Sequence, residues 1–285
     1  MFSKWLKILF KNKKTPPSVK NDQTDSECHT GTASPSEATS SQGTYKEQIS
    51  YHAVDNAREK EQQKYTIPRS RRSSDMAAEQ ELASFLDSYL YKPLLEEGGF
   101  TSIVRIDDVE MQLKGVDVEA TTASHVARID EKAQLYYINK DLPTFAFELQ
   151  FLNGARRCIG WLLNDKLLTS YYLLIWPRAT TDNVKNIKKD DFTELDALMI
   201  SRRKIHAFLD RNGFTCDVLL HTAESLRQQG KTGRVNTNRS GIYYYVSDSK
   251  KYPEAPINLV IKKYHLLQIA DAHYKITKDG FERLP

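Results

Sequence analysis

The chain has 285 residues, with 41 Lys and Arg against 37 Asp and Glu and a formal net charge of +4. That mild excess permits a nucleic-acid partner without requiring one. Cys28, Cys158 and Cys216 lie far apart, which excludes a disulfide framework and a structural zinc site and fits a reducing, cytoplasmic setting.

Phe2, Trp5, Leu6, Leu9 and Phe10 recur at helical spacing among Lys4, Lys7, Lys11, Lys13 and Lys14. This basic amphipathic leader over 2–14 is too short to span a bilayer and suits weak contact with a membrane surface or a partner. No transmembrane segment is predicted. From about 15 to 73 the chain is polar and poor in large apolar groups, so 1–74 is expected to be a disordered tail. Residues 75–285 suffice for a single well-cored domain.

A helix is predicted from Ser74 or Asp75 to about Leu95, with Leu82, Phe85, Leu86, Tyr89 and Leu90 as its apolar stripe and Gly98-Gly99 ending it. Strands follow at Thr101–Ile106, Met111–Val118, Val126–Ile138 and Thr144–Phe151. The last puts Phe145, Phe147, Leu149 and Phe151 on one face and Glu148 and Gln150 on the other. A short helix is expected between Ala155 and Asn164, and Thr169–Trp176 reads as a buried strand. Asp191, with Glu194 three residues on, predicts a helix to Arg211, which Asn212-Gly213 stops. Strands at Ile242–Val246, Ile257–Lys262 and His273–Thr277 and a helix at Tyr264–Ala270 complete the reading. The class is α/β (α+β), one mixed sheet flanked by helices.

The chemistry concentrates in Lys114-Gly-Val-Asp-Val118, Arg128-Ile-Asp-Glu-Lys132 and Phe145-Ala-Phe-Glu-Leu149. Carboxylates are costly to hold in a sheet, and several in succession point to a divalent-cation site. Asp130 and Lys132 are two apart and share a strand face, so a carboxylate for a hard cation stands beside an ammonium. The competing reading is an exposed cross-strand ion pair of little energetic weight. Glu131 points the other way and reads as structural, and Glu119 as a solvated strand end.

This order of elements resembles the PD-(D/E)xK nuclease superfamily, whose restriction-endonuclease-like core carries an Asp on one strand and (Asp/Glu)-x-Lys on the next. The resemblance covers about Met76 to Pro177. It implies a nuclease-like core over 75–178, a C-terminal α+β extension over 179–285, and a site of Asp117, Asp130, Lys132 and Glu148. Asp117, Asp130 and Glu148 would be ligands of Mg²⁺ or Mn²⁺. Val116 replaces the Pro that often precedes the first Asp. A second alignment takes Asp130 first and Glu148-x-Gln150 as the pair, with Gln in place of Lys. Gly160-Trp161 and Tyr171-Tyr172 match a glycine near a helix start and a later aromatic strand in some members, and Glu81 is the candidate helix-borne ligand.

Two basic clusters are candidates for phosphate contact: Arg202, Arg203 and Lys204, and the Gly-containing stretch with Lys231, Arg234 and Arg239. The expected function is metal-dependent phosphodiester hydrolysis of nucleic acid, DNA before RNA. The alternative is a non-catalytic nucleic-acid- or protein-binding module on the same fold.

Overall fold

The computed structural model describes residues 72–285, with side chains from Met76. The expected tail and the leader at 2–14 lie outside the described residues. Among the described residues the fold is mixed α/β, with twelve strands in two sheets.

The first helix, α1 (Arg72–Leu86), buries Ala78, Leu82, Phe85 and Leu86. It widens into a π turn at Asp87–Tyr91 and resumes as α2 (Lys92–Glu96). Pro93 has no N–H to continue the ladder, and the widening falls just before it. The strand β1 (Ser102–Arg105) follows. The predicted strand at Met111–Val118 is instead a short helix, α3 (Val109–Leu113), because Asp108 caps it by accepting from the Met111 N–H at 2.8 Å. Only Val118 belongs to the next strand, β2 (Val118–Thr122), so Asp117 stands just before a strand. The strand β3 (His125–Ala133) ends short of Ile138 in a 3₁₀ turn at Leu135–Tyr137.

After β4 (Thr144–Asn153) the expected helix at 155–164 is a strand, β5 (Arg156–Ile159), hairpinned back on β4. Gly154, at a φ of 60°, makes the turn. Then come β6 (Tyr171–Ala179) and β7 (Phe192–Ser201). The predicted helix from Asp191 begins only at Arg202, as α4 (Arg202–Arg211). Asp191 accepts from the Lys188 N–H at 2.9 Å in the turn that precedes β7. The chain closes with α5 (Cys216–Gln228), β8 (Gly233–Asn236), β9 (Ile242–Val246), β10 (Ile257–Lys262), α6 (Lys263–Ile269), β11 (Ala272–Thr277) and β12 (Gly280–Leu284).

The larger sheet runs β1-β2-β3-β6-β7-β11-β12, with β3 and β6 parallel and every other pair antiparallel. The second runs β5-β4-β10-β9-β8, all antiparallel. Strands from after residue 179 thus complete both sheets. The central strand β6 is buried on both faces, which is why it reads as one apolar run. Tyr171, Leu173 and Ile175 join α1 in one core, while Tyr172, Leu174 and Trp176 join the second sheet and α4–α6 in the other. On β4, Phe145, Phe147 and Leu149 enter this second core. Among the described residues no helix is long and apolar enough to cross a membrane.

Candidate active site

The geometry starts from Gly115. Its φ is +73°, and a Cβ there would lie 2.4 Å from Thr169 Oγ1 and 3.4 Å from Asp130 Oδ2. Thr169 donates to the Gly115 carbonyl at 2.7 Å. A glycine is therefore needed to bring the end of the α3 turn down against β3. Two residues on, Asp117 Oδ2 accepts from the Glu131 backbone N–H at 2.7 Å, which fixes Asp117 against the strand that carries Asp130.

Asp130 is 2% exposed. One of its oxygens accepts from the Lys132 ammonium, and the other, Oδ2, is buried with no donor in reach. The Asp117 carboxyl is near enough for its charge to act on Asp130. Burial pushes the Asp130 carboxyl up to about 7; Lys132 pulls against this and the Asp117 charge adds to it. Burial works against the Lys132 ammonium, but the charges of Asp130 and then Asp117 outweigh it, and its pKa is raised. Lys132 Nζ also lies 5.7 Å from the Trp161 ring centroid.

Glu148 reaches the same neighbourhood from the second sheet. Gly160 permits this, since a Cβ there would meet the Glu148 carbonyl oxygen at 2.3 Å and its Cγ at 2.8 Å. Burial, and then the charge of Glu254, push the Glu148 carboxyl up to about 7, while Lys132 and the Trp161 backbone N–H hold it down. Lys132 is the common partner: it acts on Asp130 and on Glu148, while Asp117 acts on Asp130 and Lys132. Among the described residues no set of three or more His, Cys, Asp and Glu side chains is arranged to hold a metal ion. Asp117 and Asp130 are a pair, and Glu148 keeps company with Lys132. A pair still fits Mg²⁺, which takes one or two carboxylates and fills its shell with water and phosphate oxygens. The donorless Asp130 oxygen fits the same cation.

Glu131 lies on the opposite face, as expected of a structural residue. Arg105 donates to both of its oxygens at 3.0 Å, and Tyr91 donates at 2.7 Å. Arg105 also forks onto Asp87 of the π turn at 2.8 Å through two nitrogens.

The other candidates are held elsewhere. Glu81 accepts from Lys188 Nζ at 3.2 Å and the Lys189 N–H at 2.9 Å, tying α1 to the turn before β7. Gln150 is buried and bonded to Glu224 and Arg227 of α5, and the β4–β10 register shifts between it and Glu148. Arg202 donates to the Asn164 and Leu167 carbonyls at 2.6 and 3.1 Å, Lys204 pairs with Asp271 at 2.8 Å, and Arg239 donates to the Asn212 carbonyl at 3.2 Å. Arg203 and Lys231 are exposed, and Arg234 lies 4.0 Å from the Tyr243 ring centroid. The residues that the sequence reading missed are Arg105, Asp87 and Tyr91; buried Glu131, beside Asp130 in the sequence, was the signal that a cation must come from elsewhere.

Comparison with known protein families, with curated proteins and with solved structures finds no match to this chain.

Proposed function

We propose that Asp117, Asp130, Lys132 and Glu148 form a divalent-cation-dependent site for hydrolysing phosphodiester bonds in nucleic acid. The observation that carries this reading is the buried Asp130 oxygen that has no hydrogen-bond partner, on a carboxyl whose ionisation the Asp117 charge also disfavours. Such an oxygen is costly in a purely structural setting. Asp117 and Asp130 would hold Mg²⁺ or Mn²⁺, which supplies Lewis acidity and a more acidic bound water. Lys132, aligned by Asp130, offsets the charge of a phosphate on the same face. Glu148, with a pKa near 7 and beside Lys132, is suited to take a proton from an attacking water.

The test is a cleavage assay of the full chain on single-stranded and duplex DNA and RNA, with Mg²⁺, Mn²⁺ or EDTA. Cleavage should require the cation, and Lys132→Met should slow it about 100-fold or more. If every substrate stays intact with both cations, a non-catalytic binding module replaces this reading.

A further inference from the structure

The outer face of the second sheet is aromatic and basic, and it leads away from Glu148. Residues in register across it form two rows. One is Glu148 on β4, Asn258 on β10, Tyr245 on β9 and Arg234 on β8; the other is Ala146, Val260, Tyr243 and Asn236. Adjacent strands are about 4.8 Å apart, so Tyr245 stands about 10 Å from Glu148 along its row. The inner residues of these strands (Tyr244, Leu259, Ile261) belong to the core, as do the buried residues of α4, α5 and α6, whereas Val260, although itself buried, joins neither core. The described helices therefore pack on the inner side.

Tyrosines gather on this outer side. Tyr137, after β3, lies within electrostatic reach of Tyr245, Tyr252 and Tyr243. Tyr137, Tyr245 and Tyr252 are 54%, 45% and 50% exposed. Arg234 stacks over Tyr243 and is steadied by donating from Nε to Asn236 Oδ1 at 2.7 Å, which keeps a cation on the platform. From 227 to 262 the chain has seven Lys and Arg against two Asp and Glu, an excess larger than that of the whole chain. Exposed Tyr137, Tyr245 and Tyr252 beside half-buried Tyr243, with Arg234 among them, suit a polyanion that carries planar rings. In a duplex those rings are stacked on each other and out of reach; in a single strand they are free to stack on protein aromatics.

We infer that the Tyr243–Tyr245 face of the second sheet binds single-stranded nucleic acid and delivers it to the site at Glu148 and Lys132. The inference deepens the hydrolytic reading and rests on it for the direction of delivery.

The test measures binding of a labelled oligothymidylate of roughly 16 nucleotides and of a matching duplex to the full chain in EDTA, where nothing is cleaved. The single strand should bind more tightly. Tyr243→Ala with Tyr245→Ala should weaken it by about tenfold or more, while Tyr243→Phe with Tyr245→Phe, which keeps the rings, should bind as the wild type does. Thermal midpoints confirm that each variant is folded. Three outcomes overturn the inference: a single strand bound no tighter than duplex, alanine variants that bind normally, or capture of the chain by anionic phospholipid vesicles in place of the oligonucleotide. Cleavage in Mg²⁺, read in parallel, separates the two readings. Wild-type cleavage with normal binding by the alanine variants removes the platform alone; tyrosine-dependent binding without cleavage removes the hydrolytic reading alone.

Discussion

Asp130 and Glu131 are neighbours on one strand, the first buried and the second mostly so, yet the fold treats their carboxyl groups in opposite ways. Glu131 receives two hydrogen bonds from Arg105 and one from Tyr91, and Arg105 is itself backed by Asp87. Asp130 receives one ammonium on one oxygen and leaves the other without a donor, with the Asp117 charge nearby adding to the penalty. A fully satisfied buried charge holds a structure together, whereas one left short of a cation is set to bind something. The two sides also communicate, because the Glu131 N–H holds Asp117.

That contrast predicts a ranking of effects. Arg105→Met removes the cation from the satisfied side and strands Glu131, whose side chain is 11% exposed. It should cost about 3–5 kcal/mol, read by urea unfolding. A loss below about 1 kcal/mol would show that Glu131 does not depend on Arg105. Next is Lys132→Met, which should lower cleavage about 100-fold or more and leave the fold intact, since a proton can take the ammonium's place on a carboxyl whose pKa is already about 7. Smaller again is Asp130→Asn. Its amide places a donor opposite Asp117, so without divalent cation the protein should gain about 1 kcal/mol while losing cleavage. A variant that unfolds would assign Asp130 to the satisfied class. Smallest is Glu81→Ala, which breaks a half-exposed tie to Lys188 and Lys189 and should change stability by no more than about 1 kcal/mol and cleavage not at all.

The legible parts of the sequence were mostly those with one exposed face, together with β6, whose unbroken apolar run reads as a strand buried on both sides. β4 alternates from Thr144 to Leu149, where the register shift turns Gln150 inward, and α1, β9, β10 and β11 fall close to where apolar periodicity puts them. β7 was misread because it is buried on both faces: Leu195, Ala197 and Met199 enter one core and Leu198 and Ile200 the other, so a strand without alternation passed for a helix. The strand over 111–118 failed because the Asp108 cap was not recognised. α5, missed altogether, is signalled by the Thr215 side chain accepting from Val218 N–H and by Leu219, Ala223 and Leu226 at helical spacing. At the site, the spacing of Asp117, Asp130, Lys132 and Glu148 was readable along the chain. What was not readable is tertiary: the close approaches that Gly115 and Gly160 permit, the Arg105 fork, and the internal partners of Gln150, Arg202 and Lys204.

The central claim is that the unsatisfied pair is a cation site, and Mn²⁺-dependent stability of the full chain tests it most directly. A ligand that binds only the folded state raises the thermal midpoint in proportion to its occupancy. The wild type and Lys132→Met should both gain stability as Mn²⁺ is titrated, and Asp117→Asn combined with Asp130→Asn should gain none. An equal gain in the double variant, or no gain in the wild type, would contradict the account.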